Sequence, residues 1–85
     1  MIEQNVKCVY QNSQQECTLI VNFSDTSYAH IPYLVDTSYS DNGRNFGYNL
    51  KSISTNRIVI QVNFVNSGGD SKNSSILTHI FSYGY

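Results

Sequence analysis

Apolar and polar positions alternate with a period of two along most of the chain, the pattern of half-buried strands. Val6, Cys8 and Tyr10 alternate with Lys7 and Val9, and a polar connection from Gln11 to Gln15 follows. Cys17, Leu19, Val21 and Phe23 then alternate with Thr18, Ile20 and Asn22, which predicts a hairpin. Ser24 to Ser27 reads as loop. Pro32 suits the start of a strand and not its middle, so the third strand is expected over Tyr33 to Tyr39. The Asn42-Gly43 step marks a tight turn, after which Phe46, Tyr48 and Leu50 share one face. Past a turn at Ser54 to Arg57, Ile58, Ile60, Val62 and Phe64 alternate with Val59, Gln61, Asn63 and Val65. Asn66 to Ser74 is the most glycine- and serine-rich connection, and a last strand is expected from Ile76 to Tyr83. No helical period is sustained. Six short strands between turn signals predict an all-β fold, a small antiparallel β-sandwich or barrel, in one domain spanning residues 1–85. Residues 1–17 form its N-terminal strand and hairpin turn.

Several strands carry apolar residues at both parities. Ile20 lies opposite Leu19 and Val21, Val59 and Val65 opposite the Ile58–Phe64 set, and Ile76 and Ile80 opposite Leu77, Phe81 and Tyr83. A two-layer sandwich buries one face of each sheet. The expectation is therefore a homo-oligomer whose second faces meet at Ile20, Val59, Val65, Ile76 and Ile80. A chain of 85 residues gains from such association, because a domain this small buries only about 60% of its unfolded surface.

Composition narrows the partners. Charged residues make up 13% of the chain and the formal net charge is −1. Nucleic-acid and anionic-membrane binding need clustered Lys and Arg, so neither is expected, and no apolar run is long enough for a membrane span. Met1 is followed by Ile2-Glu3-Gln4-Asn5, which lacks the basic and apolar regions of a secretory signal. Cys8 and Cys17 read as two half-buried thiols on neighbouring strands, with a hairpin disulfide or a reactive thiol as alternatives. They offer no set of three or four metal ligands with His30 and His79, so no metal or other cofactor is expected. Asp25 and His30 near Ser24 or Ser27 have no spacing that argues for a catalytic dyad, and enzymatic activity is not expected. His79 reads as an interior or interface imidazole.

Binding residues concentrate on loops carried by rigid scaffolds. The segment Tyr39, Ser40, Asp41, Asn42, Gly43, Arg44, Asn45 combines a ring, a carboxylate, amides and a guanidinium, the groups that recognise a sugar's hydroxyls and its C–H face. Tyr39, Asp41, Asn42 and Arg44 are its candidate ligand-binding residues. A further set, Tyr28, His30 and Tyr33, brackets Pro32 as possible aromatic anchors.

Three stretches share an order with a known family. Val21-Asn22-Phe23-Ser24 precedes an aromatic-bearing loop and the Pro32 strand. Leu50-Lys51-Ser52-Ile53-Ser54-Thr55-Asn56-Arg57-Ile58 resembles a strand, Val-x-Asn/Ser-x-Thr-x-Gly-Phe turn, strand core. Ile80-Phe81-Ser82-Tyr83-Gly84-Tyr85 resembles a terminal Trp-Ile-Ala-Ile-Gly-Tyr strand. Together, over Thr18 to Tyr85, they resemble the H-type lectin domain and the C-terminal tip domains of bacteriophage tail fibres and receptor-binding proteins. The resemblance implies a six-stranded antiparallel sandwich that assembles as a trimer. It departs at Arg57-Ile58, where the family has Gly-Phe, and at Ile80 and Ser82, where it has Trp and Ala. The positions that hold N-acetylgalactosamine in sugar-binding members fall on Asn49, Val65 and Asn66. Asn49 and Asn66 join the candidate ligand-binding residues, but none of the three keeps the family's side chain, so that sugar specificity is not implied.

The expected function is a homotrimeric carbohydrate- or receptor-binding module that attaches a virion to a host cell surface, as the tip of a tail fibre. A trimerisation cap that binds no ligand, and a free-standing cytosolic lectin, are the alternatives.

Overall fold

A computed structural model of the chain describes residues 1–34, 45–65, 71–73 and 78–85. Among them are eight strands and no helix: β1 (Ile2–Lys7), β2 (Val9–Gln11), β3 (Gln14–Thr18), β4 (Ala29–Leu34), β5 (Asn45–Ile53), β6 (Arg57–Val65), β7 (Ser71–Asn73) and β8 (Thr78–Gly84). They form two antiparallel sheets. The smaller has the order β1-β8-β4, and the larger has the order β2-β3-β6-β5 with β7 also on β6. The core between them takes Val6 and Ile80 from the first sheet and Cys17, Ile58, Ile60 and Val62 from the second. The all-β class and sandwich character expected from alternation hold, with more strands than six, of three to nine residues each.

The first apolar stretch does not make one hairpin. β1 pairs with β8, from Ile2↔Gly84 to Lys7↔His79. The chain then changes sheets at Cys8, whose N–H donates to Thr78 O at 2.9 Å. β2 and β3 form the hairpin instead, closed by Asn12 and Ser13 with φ of 55° and 59°. Positive φ at both central residues is the type I′ geometry whose twist suits a two-residue loop. Cys8 and Cys17 are joined by a disulfide with Cα atoms 4.3 Å apart. This corrects the expectation of two thiols: the β2–β3 register, running from Gln11↔Gln14 to Val9↔Glu16, sets Cys8 opposite Cys17 at its next position. The bond fastens the sheet-changing corner to β3.

Beyond Thr18 the second half of the expected hairpin strand is a bend, because a side chain replaces the strand partner. Gln4, buried on the inner face of β1, accepts from the N–H groups of Ile20 and Val21 at 2.8 and 3.0 Å and donates to Val21 O at 2.7 Å. The segment continues across one end of the sandwich. Leu19 and Phe23 donate to Asn56 O and Thr55 O in the β5–β6 turn, and Ser24 donates to Tyr85 O.

β4 also starts earlier than expected, and Pro32 stands in its middle, opposite Ile80. Among the described residues β4 is an edge strand, hydrogen-bonded on its β8 side alone, and on an edge a missing N–H need not interrupt the ladder. Residues 35–39, expected to continue that strand, lie outside the described residues.

The two-faced reading is corrected at two of its residues. Ile80 is fully buried on the inner face of β8, flanked there by Thr78 and Ser82, so the inner and outer sets of β8 are the reverse of those expected. Val59 points outward on β6 yet is only 6% exposed. Arg57 precedes it on the same face and forms an ion pair with Glu16, which stands opposite Val59 on β3. The pair brackets the valine within one subunit. Neither residue is available to another copy. Ile20 is 77% exposed. Ile76 and the side chain of Val65 lie outside what is described.

Candidate functional site: an aromatic face on the smaller sheet

The strand register places nine outward residues of the smaller sheet in three rows. Glu3, Tyr83 and Ala29 form one, Asn5, Phe81 and Ile31 the next, and Lys7, His79 and Tyr33 the third. The inner residues of the same strands, Gln4, Val6, Pro32, Thr78, Ile80 and Ser82, are buried, so the strand period commits the other set to the surface. β8 is the central strand and carries the aromatic column.

The rings are close enough to act together. Phe81 and Tyr83 have centroids 5.9 Å apart, and Tyr33 and His79 5.7 Å. Asn5 Nδ2 donates to Tyr33 Oη across β8, which ties the phenol over the sheet. Tyr83 is 40% and Ile31 51% exposed, whereas Phe81, His79 and Tyr33 are half-buried against their neighbours. The middle row carries no charge. Glu3 and Lys7 stand on β1 at the two ends of the face.

The Tyr83 end of this face opens on a cavity of about 290 Å³ lined by Ser24, Asp25, Ser27, Tyr28, Tyr83 and Tyr85 among others. Three local features build it. Tyr28 is buried, stacks on Phe23 with centroids 4.1 Å apart, and donates its hydroxyl to Ser54 O at 2.7 Å. Burial pushes its phenol pKa above the ordinary value. Gly84 passes so close to Tyr28 that a Cβ there would meet Tyr28 Cβ at 2.7 Å. Asp25 Oδ1 accepts from the N–H and hydroxyl of Ser27, closing an Asx-type turn that holds the carboxyl below its ordinary pKa. The loop thus presents an ionised carboxylate and hydroxyls beside two tyrosines.

The residues singled out in the sequence distribute unevenly. Tyr39, Asp41, Asn42, Arg44 and Asn66 lie outside the described residues. Asn49 is exposed on β5 opposite Gln61, on the polar outer face of the larger sheet and not on the aromatic face. Of the Pro32 set, Tyr33 alone belongs to the aromatic face. Tyr28 is buried, and His30 stands opposite buried Ser82 with its ring 6.0 Å from Tyr48. Asp25 is engaged by Ser27 and not by His30. Phe81, Tyr83 and Ile31 were missed as site residues. The two-residue spacing of Phe81 and Tyr83 is plain in the sequence, but its pattern reads them as the inner face of β8, and Ile31 falls before the strand expected from Tyr33. Among the described residues no group of three or more His, Cys, Asp or Glu could hold a metal ion.

No protein-family model, curated protein or solved structure matches the chain.

Proposed function

We propose that this chain is a β-sandwich recognition module that binds a cell-surface carbohydrate through the outer face of its smaller sheet. The single observation that carries this reading is the aromatic column Phe81–Tyr83, flanked by Tyr33 and His79 and edged by Asn5, Glu3 and Lys7. Aromatic rings offer large contact area at small entropic cost. Amide, carboxylate and ammonium groups at the rim suit sugar hydroxyls. The near-neutral surface favours an uncharged polar ligand over nucleic acid.

The disulfide supports an extracellular or virion setting over a reducing cytosol. Within that setting the resemblance to H-type lectin and tail-fibre tip domains makes host attachment by a homotrimer the natural role, since weak single sites gain from multivalency. With Ile80 in the subunit core and Val59 covered on the outer face of β6, exposed Ile20 and Val21 are what support self-association.

The test is glycan-array and whole-cell binding of the wild type, Phe81→Ala and Tyr33→Ala. Binding by the wild type and a loss of about tenfold or more in both variants, with unchanged circular dichroism, is the expected result. Variants that bind like the wild type would remove the face from the function. The second reading, a fibre-end trimerisation cap without a ligand, draws on the same exposed Ile20–Val21 pair. It expects Ile20→Asp to abolish assembly and no glycan to bind.

A further inference from the structure

The aromatic column and the cavity at its end are continuous, because Tyr83 belongs to both. From His79 to Tyr83 the column covers four residue steps, about 13 Å at ~3.3 Å per residue. Along the column Phe81 and Tyr83 are 5.9 Å apart, comparable to one pyranose unit of a glycan chain, and Tyr33 on β4 widens the other end with its ring 5.7 Å to the side of His79. The cavity of about 290 Å³ lies at the small end of the range for ligand sites, a size for one sugar ring and not for a chain.

Area decides which class of occupant the face suits. Three strands about 4.8 Å apart and six residues long present roughly 300 Å². A stable protein interface needs about 800 Å² per partner, so this face alone is too small to hold a second copy or another protein. Charge points the same way. The middle row Asn5–Phe81–Ile31 is uncharged, while Glu3, Lys7 and Asp25 sit at its ends, an arrangement complementary to a neutral chain with hydroxyls along its length.

We infer that the ligand is an extended oligosaccharide of at least three units, with its terminal sugar in the Asp25–Tyr83–Tyr85 cavity and the following units on Phe81, His79 and Tyr33. This rests on the carbohydrate-binding reading and adds the ligand's length and polarity. The ionised Asp25 accepts from hydroxyls of the end unit, Ser24 and Ser27 stand beside it, and Tyr83 stacks where the chain leaves the cavity.

The experiment is calorimetric titration with linear oligomers of glucose, N-acetylglucosamine, galactose and mannose, each from one to six units. In at least one series affinity is expected to rise about tenfold or more from one unit to three and to level off beyond four. Phe81→Ala should flatten that rise, so that three units bind no more than about twofold better than one. Asp25→Asn, which keeps the Asx turn, should weaken every length by a similar factor of about five to ten. Binding that does not depend on length, or an Asp25→Asn variant that binds like the wild type, overturns this inference and leaves carbohydrate recognition standing. Absence of binding in all four series overturns both.

Discussion

Gln4 sits on the inner face of β1 with its amide spent on the backbone of Ile20 and Val21, three bonds from one side chain. It converts what alternation reads as a continuing strand into the bend that carries Ser24 and Asp25 to the end of β8. Gln4→Leu would keep the volume and leave two N–H groups and a carbonyl to find water. We expect a loss of about 2–3 kcal/mol in urea unfolding and faster amide exchange at Ile20 and Val21. Tyr28 gives a pH dependence of definite sign. Its folded pKa is raised by burial, so its contribution is complete below the ordinary value of 10.0 and is lost as pH rises through the folded value. Stability measured from pH 8 upward should fall above pH 10 and fall less in Tyr28→Phe.

At the level of strands, the alternation that identifies an all-β chain does not say which parity faces the core. In β6 the answer was legible, since Ile58, Ile60 and Val62 outweigh Gln61 and Asn63. In β8 it was not. The core set there is Thr78, Ile80 and Ser82, polar on either side of one isoleucine, while the surface set His79, Phe81 and Tyr83 is the more aromatic. An aromatic surface of this kind inverts the usual pattern, and the site was hidden by the same inversion. Pro32 misled for a related reason: sequence does not announce which strand will be an edge. The strand-to-strand link at Cys8–Cys17 is a third case, because it depends on the exact two-residue turn at Asn12–Ser13, whose register sets position 8 opposite position 17 and which no glycine announces. Its reduction should lower stability by about 2–3 kcal/mol, the scale for a short closed loop, read as a shift in the urea midpoint with and without reductant.

For the molecule as a whole, the sequence supplied the class and the near-neutral surface, and it overestimated the apolar area left for self-association. The outer face of the larger sheet is largely polar, with Thr18, Ser52, Asn49, Gln61 and Asn63 around the Arg57–Glu16 pair. The exposed apolar residues among those described are spread over the Ile20–Val21 bend, the aromatic face of the smaller sheet, and Val9 and Tyr10 on β2 with Tyr48 and Leu50 on β5. If the chain assembles as proposed, light scattering should give three subunit masses and Ile20→Asp should return one. A wild-type monomer would leave the recognition face intact and withdraw the avidity argument.

The pairing of β1 with β8 has a mechanical consequence. Ile2 stands opposite Gly84, so Met1 and Tyr85 emerge side by side at one end of the same two strands. A pull applied between them would load the ladder one rung at a time, from Ile2↔Gly84 toward Lys7↔His79, and peel it like a zipper instead of shearing it. Under such a load the rung at Ile2↔Gly84 would yield first, under modest force, before the disulfide-fastened remainder unravels.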